Sequence, residues 1–291
     1  MTIARQWAAF ARQTATNPLP PSVAAHAALC VADHLHAAMH GARSDTGELM
    51  RRYLGFAANA GGSALAPEPM ALYAGAISAV HEIDDVQQGT SLHPGSVIVA
   101  AALATALSSH VSGARLLAAI AVGYEVMVRL SVAAGHRHYH FFHATATCGA
   151  IGAAAATDVI LDLDEARTAH AMSSAVALAS GVWEGVNREA VTIKHLHPGF
   201  AAERGVRAAR LAALGLHGAE HAIEGDKGFL AALAQRGAHA PNESPAVDAL
   251  DTILIGGLGE SWRIEHNIFK RYPFCLGCFE PLEGLRRILR E

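Results

Sequence analysis

Three long segments of the sequence, residues 96–110, 114–134 and 144–160, are apolar on almost every side. Alanine, the residue with the highest intrinsic helix propensity, recurs throughout them. A helix that is apolar all round is stable only when other helices or a second subunit cover it. The sequence therefore predicts a mainly α fold, in which these segments lie inside a large multi-helix bundle.

Residues typical of helix ends indicate further helices. Pro20-Pro21-Ser22 predicts a helix that starts there and stops at Gly41, because proline favours the first helical turn and glycine the position after the last. Thr46, Ser112 and Asp164 are each expected to cap the helix that follows, since their side-chain oxygens accept hydrogen bonds from free backbone N–H groups. Residues 235–242 are the best candidate for a linker.

Composition excludes several classes of protein. Hydrophobic residues make up 52% of the 291 positions and charged residues 16%, which indicates extensive burial, and a net charge of −4 offers no field for nucleic acid. Polar residues interrupt each apolar segment before it reaches the roughly 20 residues that span a membrane. Arg5 and Arg12 lie where a signal peptide would be apolar, and four scattered cysteines form no disulfide scaffold. These features predict a cytoplasmic protein that binds neither membrane nor nucleic acid.

The first polar loop that interrupts the helices is acidic. Glu82, Asp84 and Asp85 lie within four positions, and His93 follows them at a helix start. Repulsion between neighbouring carboxylates raises the pKa of one of them and suits it to general acid or base catalysis. The alternative is a solvated acidic turn in which Asp85 caps the next helix.

A second loop, residues 135–143, is rich in histidine. His136, His138, His140 and His143 include three that share a face in either an extended or a helical conformation, an arrangement that can bind zinc. The competing interpretation is a polar loop with one catalytic histidine, because no HExxH motif accompanies the cluster. The isolated CxxC at residues 275–278 indicates ordinary packing.

The third loop, residues 185–197, brings cationic groups to the start of a helix. Lys194 and His197 lie in a Lys-His-Leu-His-Pro-Gly segment, and the positive field of a helix N-terminus suits a substrate carboxylate or a developing enolate. A solvated surface is the alternative. Lys270 and Arg271 add two cations near the end of the chain. Together the loops predict acid/base chemistry on a small anionic substrate.

Six short motifs follow one another along the sequence. They are a His-x-x-Asp-Asp loop leading to His-Pro (81–94), Gly-Tyr-Glu-Val (123–126), Phe-His before a small-residue helix (142–156), Lys-x-Leu-His-x-Gly (194–199), Glu-Gly-x-x-Gly-Phe-Leu (224–230) and Lys-x-Tyr-Pro (270–273). In these motifs and their order the sequence resembles, over nearly its whole length, the MmgE/PrpD family, which includes 2-methylcitrate dehydratase, cis-aconitate decarboxylase and iminodisuccinate epimerase.

The resemblance implies a large all-helical domain and a smaller α+β lid domain. It also implies a homodimer, and an active site between the domains that needs neither metal nor cofactor. Residues 1–265 would form the helical domain and residues 266–291 the start of a truncated lid segment, so the lid itself is expected to be absent from this sequence.

The same resemblance implies roles for individual residues. His93 and His143 correspond to the active-site histidines, Lys194 and Lys270 to cationic substrate-binding groups, and Glu82 or Asp84 to the loop carboxylate. Lys194, His197 and Lys270 would supply positive charge for the carbanion character that proton removal beside a carboxylate generates, and His93 or His143 would move the proton.

The first hypothesis is a lyase that dehydrates a 2-methylcitrate-like hydroxy polycarboxylate. An epimerase of an iminodisuccinate-like dicarboxylate is the close alternative, since the same acid/base groups serve both reactions. A catalytically silent dimerisation module and a zinc hydrolase are further alternatives. Val86 replaces the family's threonine, Glu82 its aspartate, and Cys275 the histidine of cis-aconitate decarboxylases, and this last difference argues against decarboxylation.

Overall fold

The computed structural model describes residues 1–59, 66–186, 192–234 and 247–290. These residues form a mainly α fold, which confirms the predicted class. The helices are α1 (Ile3–Thr16), α2 (Pro21–Gly41), α3 (Asp45–Asn59), α4 (Pro67–Ser78), α5 (Gly95–Ser109), α6 (Gly113–Phe141), α7 (Ala144–Leu161), α8 (Glu165–Leu178), α9 (Ile193–Ala213), α10 (Phe229–Ala234), α11 (Val247–Ile255) and α12 (Phe279–Ile288). The predicted linker at 235–242 lies outside the described residues.

Helix α7 forms the centre of the bundle. Its residues are buried from Ala144 to Ile160, and it packs most extensively against α9 and α6. Close packing depends on small residues, because a Cβ atom on Gly152 would lie 2.9 Å from the carbonyl oxygen of Gly123 on α6. Small residues such as these two glycines therefore let α6 and α7 approach each other closely.

Helices α6 and α7 are long and apolar enough to cross a bilayer by length and composition alone. Most of their apolar surface is instead buried inside the protein. This is the pattern expected of the core helices of a large bundle.

The predicted helix ends are largely confirmed. Helix α2 runs from Pro21 to Gly41, and the side chains of Ser112 and Asp164 accept hydrogen bonds from backbone N–H groups three residues later. The prediction for Thr46 is wrong, because the hydroxyl of Ser44 accepts the backbone N–H of Gly47 at 3.1 Å. Thr46 lies inside α3, so the helix begins earlier than expected.

Two of the three predicted loops are partly helical. Helix α6 breaks only at Gly135, whose φ of 72° is in the region that favours glycine, and then continues to Phe141. Helix α9 begins at Ile193 and includes Pro198. Proline lacks an N–H, so Pro198 cannot donate a hydrogen bond to the Lys194 carbonyl four residues earlier. The helix tolerates the loss of this one hydrogen bond near its start.

A two-stranded antiparallel sheet joins the acidic loop to the last part of the chain. Strand β1 (Val86–Gln87) pairs with β2 (Asn267–Ile268), with Val86 opposite Ile268. Continuing this register places residue 270 opposite residue 84. The sheet therefore carries Lys270 to the acidic loop.

Candidate active site

Asp85 anchors the acidic loop to three other segments. Its carboxylate accepts hydrogen bonds from the backbone N–H of Gly95 at 2.9 Å, the hydroxyl of Tyr124 at 2.5 Å and the side-chain amide of Asn267 at 2.6 Å. Complete burial raises its pKa, although these bonds act in the opposite direction. The geometry matches the structural alternative for this residue, a cap on α5.

Asp84, the neighbouring carboxylate, forms an ion pair with His93. Its Oδ2 lies 3.2 Å from His93 Nδ1 and accepts the Ser96 hydroxyl at 2.5 Å. Burial alone would raise the pKa of Asp84, but His93, Lys270 and Ser96 hold it well below its usual range. Burial also opposes charge on His93, yet Asp84 raises its pKa above the ordinary value. The pair therefore favours a protonated imidazole beside a carboxylate.

The ammonium group of Lys270 contacts one carbonyl and two carboxylates of the acidic loop. Its Nζ donates to the Glu82 carbonyl at 2.7 Å and lies 3.4 Å from the Glu82 carboxylate and 3.7 Å from Asp84. The side chain is fully buried. Because an ammonium has three donors, Lys270 is largely occupied in holding this loop.

Glu82 lies between two lysines. It adopts a left-handed backbone conformation with φ 53°, and its carboxylate also forms an ion pair with Lys194 from the first turn of α9. Burial would raise the pKa of Glu82, but the hydrogen bond from Lys194 and the charges of His93 and Lys270 lower it. The Lys194 side chain is 32% exposed, so this cation is the more accessible of the two to a substrate.

A buried pair of histidines forms the second part of the site. His143 immediately precedes α7, where its backbone N–H donates to the Gly181 carbonyl at 2.9 Å. Its Nδ1 lies 3.0 Å from Nδ1 of His197 on α9. Burial lowers the pKa of both histidines, and for His143 the charges of His93 and Lys194 lower it further. His143 is therefore neutral near pH 7.

The two parts of the site meet at the start of α7. The backbone N–H of His93 donates at 3.2 Å to the hydroxyl of Thr145, two residues after His143. The site thus combines a histidine whose pKa is raised, a histidine whose pKa is lowered and a partly exposed lysine. This combination can donate a proton, accept a proton and stabilise negative charge.

Other predicted residues lie apart from this group. The Arg271 side chain is 71% exposed and lies 3.8 Å from Glu283. His138 is bonded to Thr147 and to the Leu233 carbonyl, whereas His136 and His140 are exposed. Across the described residues, no group of three His, Cys, Asp or Glu side chains is arranged to hold a metal.

Sequence comparison agrees with the fold and the order of the motifs. The family model of the MmgE/PrpD N-terminal domain matches residues 5–241. The chain belongs to the MmgE/PrpD family. Human cis-aconitate decarboxylase is 34% identical over 212 residues, which cover 67% of this chain and 39% of that protein. The mouse protein of the same name is 32% identical over 186 residues, or 59% of this chain and 35% of the relative.

These two relatives are thus matched over well under half of their length. Both relatives carry the name of a decarboxylase. The family assignment leaves the substrate open.

The Gly-Tyr-Glu-Val motif of this MmgE/PrpD chain binds the segment that precedes β2. Glu125 and Arg129 are fully buried on α6 and form an ion pair at 2.8 Å, and Glu125 also accepts the backbone N–H of Arg263. Arg129 donates to the carbonyls of Ile253 and Gly256 at 3.2 and 2.8 Å. The motif therefore holds the segment that leads into β2 and Lys270.

Asp33 is a site neighbour that the sequence motifs miss. Its carboxylate on α2 accepts the backbone N–H of Asp85 at 3.1 Å. Burial and the nearby charges of Asp85 and Asp84 raise its pKa to about 7. No local pattern marks this residue, because a single aspartate on an alanine-rich helix resembles any half-buried polar position.

Proposed function

We propose that the chain provides the acid/base groups of a lyase that dehydrates a small hydroxy di- or tricarboxylate of the 2-methylcitrate type. The observation that carries this proposal is the pairing of opposite histidine states at one site. Asp84, at 3.2 Å, raises the pKa of His93 above its ordinary value, while burial lowers the pKa of His143 well below it. Dehydration needs both a base and an acid.

In the proposed reaction His143 removes the proton from the carbon next to a substrate carboxylate. The electron pair left on that carbon forms the new double bond as the C–O bond at the β carbon breaks, and His93 donates the proton with which the hydroxyl leaves as water. Lys194, the partly exposed cation, stabilises the carboxylate as it gains enolate character. Lys270 and Glu82 keep this lysine and the acidic loop in position.

Decarboxylation is the second candidate, because the two curated relatives are named cis-aconitate decarboxylase. In that reaction a C–C bond breaks, carbon dioxide leaves and a histidine protonates the resulting carbanion. The sequence resemblance places the histidine of the family's decarboxylases at Cys275, an exposed free thiol, and this difference disfavours decarboxylation. Epimerisation remains the further alternative, with the proton returned to the opposite face.

The proposal is tested by proton NMR in deuterium oxide with the purified chain. The substrates are 2-methylcitrate, citrate, cis-aconitate and an iminodisuccinate-type dicarboxylate, and the enzymes are wild type and His143→Ala. We expect an unsaturated product from 2-methylcitrate, and a loss of about 10²–10⁴-fold in rate for His143→Ala, the range for a positioned acid/base group.

His140→Ala is the matched control, because His140 is an exposed histidine at the end of α6, three residues before His143, and is expected to retain the wild-type rate. Carbon dioxide release from cis-aconitate, or inversion without loss of water, would replace dehydration by the second or third reaction. Absence of both turnover and deuterium exchange in the folded chain would contradict the proposal.

A further inference from the structure

His143 and His197 share a hydrogen bond between identical atoms. Their Nδ1 atoms are 3.0 Å apart although the residues are 54 positions apart in the sequence, and the rings are tilted by 37°. Both residues are buried, with 3% and 8% of their surface exposed. Two nitrogens at this distance form a hydrogen bond only when one carries the proton and the other presents its lone pair.

Burial makes both rings neutral, so each carries a single proton on one of its two nitrogens. The tautomers of the two rings are therefore coupled. If His143 donates from Nδ1, its Nε2 is a free base. If His197 donates instead, the proton of His143 must be on Nε2.

We infer that His197 is a positioning residue, which accepts the Nδ1 proton of His143 and leaves Nε2 of His143 as the proton acceptor. The inference rests on the proposed role of His143 as the base. This arrangement survives catalysis, because a His143 that has taken a proton on Nε2 still donates from Nδ1 to His197. In the opposite arrangement the only free lone pair of His143 faces His197, so proton uptake would place two donors against each other.

A neutral acceptor also suits a base that must be unprotonated near neutral pH. A carboxylate in the place of His197 would stabilise the imidazolium and raise the pKa of His143. Asp84 has that effect on His93. The two histidines of the site thus have different partners, a carboxylate for the acid and an imidazole for the base.

His138 provides an internal reference for measuring the tautomer. Its Nδ1 lies 3.0 Å from the Leu233 carbonyl, which can only accept, and its Nε2 lies 2.7 Å from the Thr147 hydroxyl. Burial lowers its pKa, so the neutral ring must carry its proton on Nδ1. A spectrum of the same sample therefore contains one buried histidine whose tautomer the fold determines.

The test is a long-range ¹H–¹⁵N correlation spectrum of the full chain with ¹⁵N-labelled histidine, which distinguishes Nδ1–H from Nε2–H. Since the chain has 18 histidines, the His143 signals are assigned by their loss in His143→Gln. We expect an Nδ1–H signal for His143 in the wild-type protein, as for His138. An Nε2–H signal for His143 would overturn the inference without any variant of His197.

Two substitutions at His197 extend the test. His197→Asn supplies a carbonyl acceptor and is expected to keep both the Nδ1–H signal and most of kcat. His197→Leu removes the acceptor, so the His143 signal should change while that of His138 does not, and kcat should fall at least about tenfold with a smaller change in KM. An unchanged His143 tautomer in His197→Leu would contradict the inference.

Because the spectra need no turnover, the inference and the proposed function fail separately. Nδ1–H in a chain without turnover would support the assigned tautomer and refute the lyase. Turnover with Nε2–H would retain the lyase and refute the role of His197.

Discussion

At the scale of single residues, the site depends on how neighbouring carboxylates are partnered. Asp84 lies 3.2 Å from His93, whereas Asp85 binds Gly95, Tyr124 and Asn267. Adjacent aspartates thus have separate tasks, one electrostatic and one structural. Asp84→Asn removes the charge that raises the pKa of His93, so we expect this pKa to fall in an NMR titration of the imidazole.

The same substitution should affect stability in a defined pH window. The lowered pKa of Asp84 contributes stability above about pH 4 that is lost on acidification, and the raised pKa of His93 contributes stability below about pH 6.5 that is lost as pH rises. The deficit of Asp84→Asn in unfolding free energy is therefore expected to be largest between these values. Ser96→Ala is the control, because it removes one hydrogen bond to Asp84 but leaves both charges, and it should keep the raised pKa of His93. An unchanged His93 pKa in Asp84→Asn would refute the pairing.

At the scale of elements, the close approach of α4 and α9 positions Lys194 and His197. A Cβ atom on Gly199 would lie 2.3 Å from the Leu72 carbonyl oxygen. Since backbone cannot yield as a flexible side chain can, Gly199→Ala should push the helices apart. We expect a loss of about 1–3 kcal/mol in denaturant unfolding, typical of overpacking, together with reduced turnover.

Gly55 is the matched control for this prediction. It lies on α3 with no atom within 4 Å of a Cβ built there. Gly55→Ala is expected to stabilise the protein by roughly 0.5–1 kcal/mol, because alanine has the higher helix propensity. Equal effects of the two substitutions would show that helix packing at Gly199 has been misjudged.

At the scale of the whole molecule, burial of ionisable groups makes stability depend on pH. Burial lowers the pKa of His34 on α2 to about 4. Below about pH 6.5 the unfolded chain binds a proton on His34 and the folded chain does not. The contribution of His34 to the free energy of unfolding is therefore lost as pH falls from 6.5 towards 4. Asp33, whose pKa is raised to about 7, has the opposite effect, because it binds its proton more tightly in the folded chain and so adds stability as pH falls.

The contribution of His34 is measured as a difference between variants. Between pH 6.5 and pH 4 the unfolding free energy of wild type should fall by about 3 kcal/mol more than that of His34→Gln, at about 1.4 kcal/mol per pH unit. His36, exposed on the same helix, is the control, and His36→Gln should retain the wild-type dependence. Parallel curves for wild type and His34→Gln would exclude a neutral buried His34.

The sequence alone predicted the mainly α class, the ends of several helices and the motif residues Glu82, Asp84, His93 and Lys270, which the structure brings into contact. Helix propensity, end signals and apolar patterning act over a few residues, so they can be recognised in a single chain. The sequence also identifies the motif at 194–199, although it predicts a later start for α9 than Ile193, where the structure has it.

Only the tertiary structure decided how these residues are partnered. The β1–β2 register brings Lys270 to the acidic loop, and the packing of α9 against α7 places His197 against His143. It also decided that Asp85 anchors the loop and that Arg271 faces Glu283. The physical reason is that charge, burial and hydrogen bonding at a site come from groups far apart in sequence, whose distances exist only once the helices have packed.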